Sequence, residues 1–265
     1  MKIFSSYCAA KYVKNIARMT IASLCVLCSF CQPDPRIKYP FPLVLTYEDQ
    51  TVVAEDSLRV LILGNSITKS PPAPGIGWHH DWGMAASRKD KDFVHVLSRQ
   101  INAHPKVSGK CVLRFANVAS YEGDFYTLDS IGLHERFRAY REFNPDLVIF
   151  RWGDNVPDSL ALEYSFERQF MEVISYFKQN PRKAPLFMIT STWYPHKTII
   201  NQQMRNASAS HKTQYVDFGE LRYVPDMSAQ GSGLFEDGGV ASHPSDQGMQ
   251  AIADLIYGDF QEMIQ

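Results

Sequence analysis

Short apolar runs and longer amphipathic stretches begin to alternate near residue 58 and continue to the end of the chain. Residues 58–63 are nearly all apolar and close on Gly64, the pattern of a parallel strand buried on both faces. Residues 91–101 place Phe93, Val94, Leu97 and Ile101 on one helical stripe, with Asp90 as the expected N-cap. A second strand is expected over 111–118. A helix is expected over 126–143, where Leu128, Ile131, Leu133 and Phe137 recur at helical spacing. After the breaker Pro145, residues 146–150 read as a third strand. Residues 159–178 set Leu162, Phe166, Phe170, Val173, Ile174 and Phe177 on one side of a single helix. A fourth strand over 185–190, a weaker helix over 198–210 and a fifth strand over 214–218 follow. The last helix, 246–264, carries Met249, Ile252, Ala253, Ile256, Phe260 and Met263 on its buried face. Strands interleaved with helices in this way predict an α/β fold. The expected form is a three-layer αβα sandwich, flavodoxin-like, around a central parallel sheet of about five strands. In such sheets, sites form beyond the carboxyl ends of the strands.

Composition narrows the partners. The 265 residues suffice for one packed domain, and a formal net charge of -1 offers no global field to draw in nucleic acid or an anionic membrane. A neutral or locally polar substrate fits better. Residues 1–31 differ in kind from the rest. Lys2, Lys11, Lys14 and Arg18 precede an uncharged run over 19–30, the length of a signal-peptide apolar region and too short to span a bilayer. This segment reads as an export signal. Residues 32–56, with Pro33, Pro35, Pro40 and Pro42, read as a linker and N-terminal extension, and 57–265 as the functional domain. Cys8, Cys25, Cys28 and Cys31 all fall in the leader, so Cys111 and Cys31 offer no disulfide framework. Cys31 stands where a bacterial lipoprotein would carry its lipid, although Phe30 occupies a place that usually holds a small residue. Membrane attachment through Cys31 and simple secretion both stay open. Either way the expected location is outside the cytoplasm: periplasm, cell surface or medium.

Three polar constellations fall at strand ends or nearby loops. Gly64-Asn65-Ser66-Ile67-Thr68 follows the first strand, where a glycine turn would stand the Ser66 hydroxyl at the rim of the sheet. Phe150-Arg151-Trp152-Gly153-Asp154-Asn155 follows the third strand. There the Asn155 amide is able to donate to an oxyanion, or alternatively to close an Asx turn. Ser242-His243-Pro244-Ser245-Asp246 precedes the last helix, with Asp246 as its expected cap. Each block alone has an ordinary explanation in turn chemistry; their order along one sheet does not.

That order resembles the SGNH (GDSL-like) hydrolase family, and the similarity runs from about Arg59 to the C-terminus. Gly64-Asn65-Ser66 looks like the first block, normally Gly-Asp-Ser; Gly153-Asp154-Asn155 resembles the Gly-x-Asn block; His243-Pro244 resembles the last. The stretch from Gly77-Trp78 to Ser87 looks like members from gut Bacteroidetes. The resemblance implies Ser66 as nucleophile, His243 as general base, and Asn155 with the Ser66 N–H as oxyanion donors. It also implies a glycine donor from the second block, for which Gly123 is the candidate and Ser120 the alternative. The family usually places an aspartate three residues before the histidine, where this chain has Val240. Asp237 or Glu236 would then orient the imidazole, or a backbone carbonyl would hold it in a Ser-His dyad.

The expected function is a secreted esterase that hydrolyses a small acyl ester, an acetyl above all, on a glycan or other small molecule. The alternatives are an O-acyltransferase using the same residues and a non-catalytic glycan-binding protein on the same fold. Trp78, Trp82 and Trp193 are expected to wall the pocket. No cofactor is expected, and no metal: the adjacent His79 and His80 lack ligand spacing, and no second cluster supports them.

Overall fold

The computed structural model describes residues 57–107, 109–180 and 182–264. The export signal over 1–31, its Cys31 and the linker over 32–56 lie outside the described residues. In chain order the elements are β1 (Leu58–Gly64), α1 (Phe93–Asn102), β2 (Cys111–Asn117), α2 (Ala119–Asp124), α3 (Ser130–Glu142) and β3 (Leu147–Arg151). They continue with α4 (Asp158–Tyr164), α5 (Phe166–Lys178), β4 (Leu186–Thr190), α6 (Thr198–His211), β5 (Gln214–Val216), α7 (Gly238–Ala241) and α8 (Asp246–Met263).

All five strands are parallel, in the order β2-β1-β3-β4-β5. This is the doubly wound arrangement expected from the alternation, and the direction in which strands are added to the sheet reverses between β1 and β3. Successive side chains of a strand point to opposite faces, which accounts for two separate cores. Leu61, Leu63, Val148 and Phe150 share a core with α3, α4, α5 and α6 through Leu133, Phe137, Ala161, Phe170, Phe177 and Met204. Val60, Ile62, Leu147 and Ile149 meet α1 and α8 through Phe93, Leu97, Ile101, Ile252 and Ile256. Helices on both faces leave no polar face on the central strands, hence the continuous apolar runs. Among the described residues no helix is long and apolar enough to cross a membrane.

Several boundaries differ from the sequence reading for identifiable reasons. The helix expected over 159–178 breaks at Ser165, which adopts a left-handed φ of 55° and whose hydroxyl accepts from the Arg168 N–H to cap α5. The break re-aims α4, and Leu162 is left 64% exposed. Ile131, in the first turn of α3 behind the Asp129 cap, is likewise turned to solvent. Asp92, not Asp90, caps α1, while Asp90 pairs with Arg88 at the surface. Ser245 caps α8; Asp246 sits in its first turn and accepts from the Ser87 N–H and hydroxyl. The short helix α2 was not anticipated.

Candidate active site

The turn after β1 demands its glycine. A Cβ on Gly64 would fall 2.0 Å from Thr68 Oγ1 and 2.7 Å from the Arg151 carbonyl oxygen, a spacing no side chain tolerates. Beyond it the Thr68 and Lys69 N–H groups both donate to the Asn65 carbonyl, at 2.9 and 3.0 Å. That wraps the chain tightly, with Ser66 half-buried at the end of the sheet. The loop 70–87 clasps the turn: the Met84 N–H donates to the Ser66 carbonyl at 2.9 Å, and the Gly83 N–H to Asp92 at 3.2 Å.

His243 is brought to Ser66 from 177 residues away, with Oγ and Nε2 2.8 Å apart. Its loop is anchored where the Ala229 N–H donates to the His243 carbonyl at 2.9 Å and Ser228 bridges Pro244. The other ring nitrogen, Nδ1, lies 2.8 Å from the Gly239 carbonyl oxygen. A carbonyl only accepts, so this contact assigns the proton to Nδ1 and leaves the Nε2 lone pair facing the serine hydroxyl. Burial pushes the imidazole below its ordinary value, against the opposing pull of the Gly239 carbonyl. The ring is thus held neutral, as a base requires.

The expectation that Asp237 orients His243 is corrected. Asp237 caps α7, where its Oδ1 accepts from the Val240 N–H at 2.9 Å. Val240, at the family's usual aspartate position, is buried with Trp78, Met84, Ala85 and Ala229. The histidine's partner is the backbone carbonyl named as the alternative.

The loop after β3, a strand that pairs with β1 up to Gly64 and Arg151, presents Asn155. Gly153 reaches it with a φ of +104°, and a Cβ there would press on Ile200, Met204 and Thr192 at 3.0 to 3.1 Å. The Asn155 amide donates to Glu122 Oε2 at 2.7 Å. Glu122 Oε1 also accepts from the Gly153 N–H, from Asn65 Nδ2 at 3.3 Å and from the Asn155 N–H at 3.4 Å. Burial first, and the neighbouring Asp154 carboxylate second, push Glu122 up to about 7 against these donors. Asp154 in turn accepts from Asn65 Nδ2 at 2.8 Å, from Arg151 Nη1, and from the Trp193 N–H at 2.7 Å.

The second-block assignment changes as well. Gly123 lies on the exposed side of α2, in its fifth position, where the N–H belongs to the helix's own ladder. Ser120 occupies the first turn, where Asn117 Oδ1 takes the Ala119 N–H and the Val118 carbonyl takes the Tyr121 N–H, while the helix ladder offers the Ser120 N–H no acceptor. That turn starts beside the nucleophile strand, since the Val118 N–H donates to the Gly64 carbonyl at 2.6 Å.

Two of the three expected pocket tryptophans are packed inside instead. Trp78 has no exposed surface and donates its indole N–H to the Ser70 carbonyl; Trp193 is equally buried and donates to the Ser242 carbonyl at 3.0 Å. Trp78 braces the loop that clasps the Ser66 turn, and Trp193 braces the loop that carries His243. Trp82 keeps some surface, donates to the Ala86 carbonyl at 2.9 Å, and stacks on the exposed His80 with ring centres 4.0 Å apart. Among the described residues no group of three metal-ligating side chains converges. Glu122, Asp154 and Arg151 escaped the sequence reading; the one available signal was a charged side chain inside each of the two blocks.

No family profile matches the chain, and no curated protein matches its sequence. Solved structures do resemble it. The salicylyl-acyltransferase SsfX3 from a tetracycline biosynthetic pathway aligns with a TM-score of 0.50 and 11% identity, over 81% of this chain and 56% of that one. A protein described as a GDSL-like lipase from Parabacteroides merdae aligns with a TM-score of 0.47 and 16% identity, over 75% of this chain and 93% of that one. The acetyl xylan esterase AlAXEase gives 0.47 and 14%, over 76% of this chain and 99% of that one. At such identities the likeness is one of fold. The chain has a five-strand, all-parallel α/β fold, and it is this fold that it shares with the acyltransferase structure.

Proposed function

We propose that the chain is a serine esterase that removes a small acyl group, an acetyl above all, from a carbohydrate ester outside the cytoplasm. The observation that carries this reading is the 2.8 Å contact between Ser66 Oγ and His243 Nε2, with Nδ1 held by the Gly239 carbonyl. Nε2 takes the hydroxyl proton as Oγ attacks the ester carbonyl, and then returns it to the leaving alcohol. The Ser66 N–H and the second Nδ2 hydrogen of Asn155 serve the oxyanion, because Glu122 engages only one of that amide's two hydrogens. Water, activated by the same imidazole, releases the acyl group from Ser66. The Gly239 carbonyl fixes the tautomer, as an acid would, but lacks the full charge that stabilises an imidazolium. The enzyme is therefore slower than a complete triad and still active.

The near-neutral net charge and the export leader favour an uncharged extracellular ester, and the His80–Trp82 stack offers an aromatic face to a sugar ring. The leader leaves the protein secreted, or held at the membrane through a lipidated Cys31. The test is hydrolysis of 4-nitrophenyl acetate by wild type and Ser66→Ala, followed by acetate release from an acetylated glycan. A wild-type rate that vanishes in the variant supports the reading. A rate unchanged by the substitution overturns it, and acetyl appearing on an added sugar acceptor identifies a transferase instead.

A further inference from the structure

We propose that Glu122 is the positioning residue of the oxyanion side: its buried carboxyl holds the Asn155 amide and the Gly153–Asn155 turn in place. The same group explains why the nucleophile block carries Asn65 where related blocks carry aspartate. Its kinetic part rests on the esterase reading; its structural part does not.

Glu122 has no exposed surface, yet it meets four N–H donors from two strand-end loops. A buried carboxyl is tolerated where its lone pairs are satisfied in this way. Asn155 itself is exposed, and among the described residues its amide is held by the 2.7 Å bond to Oε2. A donor fixed before the reaction stabilises a developing oxyanion without reorganising. Asn65 completes the arrangement. Its Nδ2 bridges Glu122 Oε1 and Asp154 Oδ2, at 3.3 and 2.8 Å, while its Oδ1 accepts from the Ile67 N–H at 3.2 Å. An aspartate at this position would face two carboxyls with a third. The amide turns that repulsion into two hydrogen bonds, and it does so one residue before the nucleophile.

The test combines Glu122→Gln, Asn155→Ala and Asn65→Asp in pairs. Glu122→Gln is not a neutral replacement, because the introduced amide NH2 must face either the Asn155 amide or the Gly153 and Asn65 donors. With 4-nitrophenyl acetate, kcat falls about 100-fold in Asn155→Ala and roughly 10-fold or more in Glu122→Gln, with KM within about two-fold in both. The double variant is no slower than Asn155→Ala alone, because both changes remove one donor. Independent multiplication of the two losses would overturn the positioning role. The second arm needs no catalysis. Asn65→Asp shifts the unfolding equilibrium by at least about 10-fold in the wild-type background and by several-fold less beside Glu122→Gln. Equal shifts in the two backgrounds would overturn the account of Asn65 and Glu122. Wild type that fails to hydrolyse any ester counts against the esterase reading, and the unfolding arm then decides on Glu122 by itself.

Discussion

Putting aspartate at position 240, where the resemblance to the SGNH pattern would have it, is expected to damage this protein. Val240 is 1% exposed and packs among Trp78, Met84, Ala85 and Ala229. Losing its apolar burial costs about 1.5–3 kcal/mol. The carboxyl of Val240→Asp would meet no donor in that cluster and would stay protonated; keeping it so at pH 7, about three units above its ordinary value, costs about 4 kcal/mol. The combined loss, about 5.5–7 kcal/mol, rivals the whole stability of a marginally stable domain. The sign of its pH dependence follows from the raised value. The proton-holding part is absent below about pH 4, where the carboxyl is protonated folded or unfolded, and grows as pH rises. Urea unfolding of both proteins at pH 4.5 and pH 7.5 measures it, and the gap should be wider at the higher pH. A Val240→Asp variant as stable as wild type that hydrolyses esters faster would refute the reasoning. It would mean that the loop turns to complete a triad.

Other outcomes follow from the same contacts. Asp92→Ala removes the cap of α1 and strands the buried Gly83 N–H, so it should destabilise by about 2–4 kcal/mol in a denaturant titration. The acid side of the kcat/KM profile should fall in two stages. A partial loss near pH 7 marks Glu122, which Glu122→Gln abolishes; the complete loss comes below pH 6.5, because burial depresses His243. A single transition shared by both proteins would contradict this. Burial pushes the Cys111 thiol up to about 12, so peptide mapping after iodoacetamide should find it unlabelled in the native protein and labelled in urea.

The fold was legible where burial is uniform. β1 and β3 are covered on both faces, and α8 buries one stripe, so their apolar patterns carry through undisturbed. Pattern failed where one residue's backbone decides. Ser165 breaks a helix without a glycine or proline to announce it, and the six residues of α2 are too few for a periodicity. At the site, the order of Ser66, Asn155 and His243 could be read, because those residues sit in short blocks with turn chemistry around them. Glu122 could not, since its partners Asn65, Gly153 and Asn155 lie 57, 31 and 33 residues away. The tryptophans misled for a related reason. Loop residues suggest a rim, but the Trp78 indole found a carbonyl at the start of its own loop and the Trp193 indole one in the loop that carries His243.

The most direct test of the central claim is the fate of Ser66 itself. Incubating the purified protein with a 4-nitrophenyl alkylphosphonate and reading intact mass and tryptic peptides shows whether that hydroxyl is an activated nucleophile. The account predicts a single adduct on the peptide bearing Ser66, none in Ser66→Ala, and labelling slowed at least about 1,000-fold in His243→Ala. An adduct on another residue, or labelling at Ser66 that proceeds as fast without His243, would contradict it.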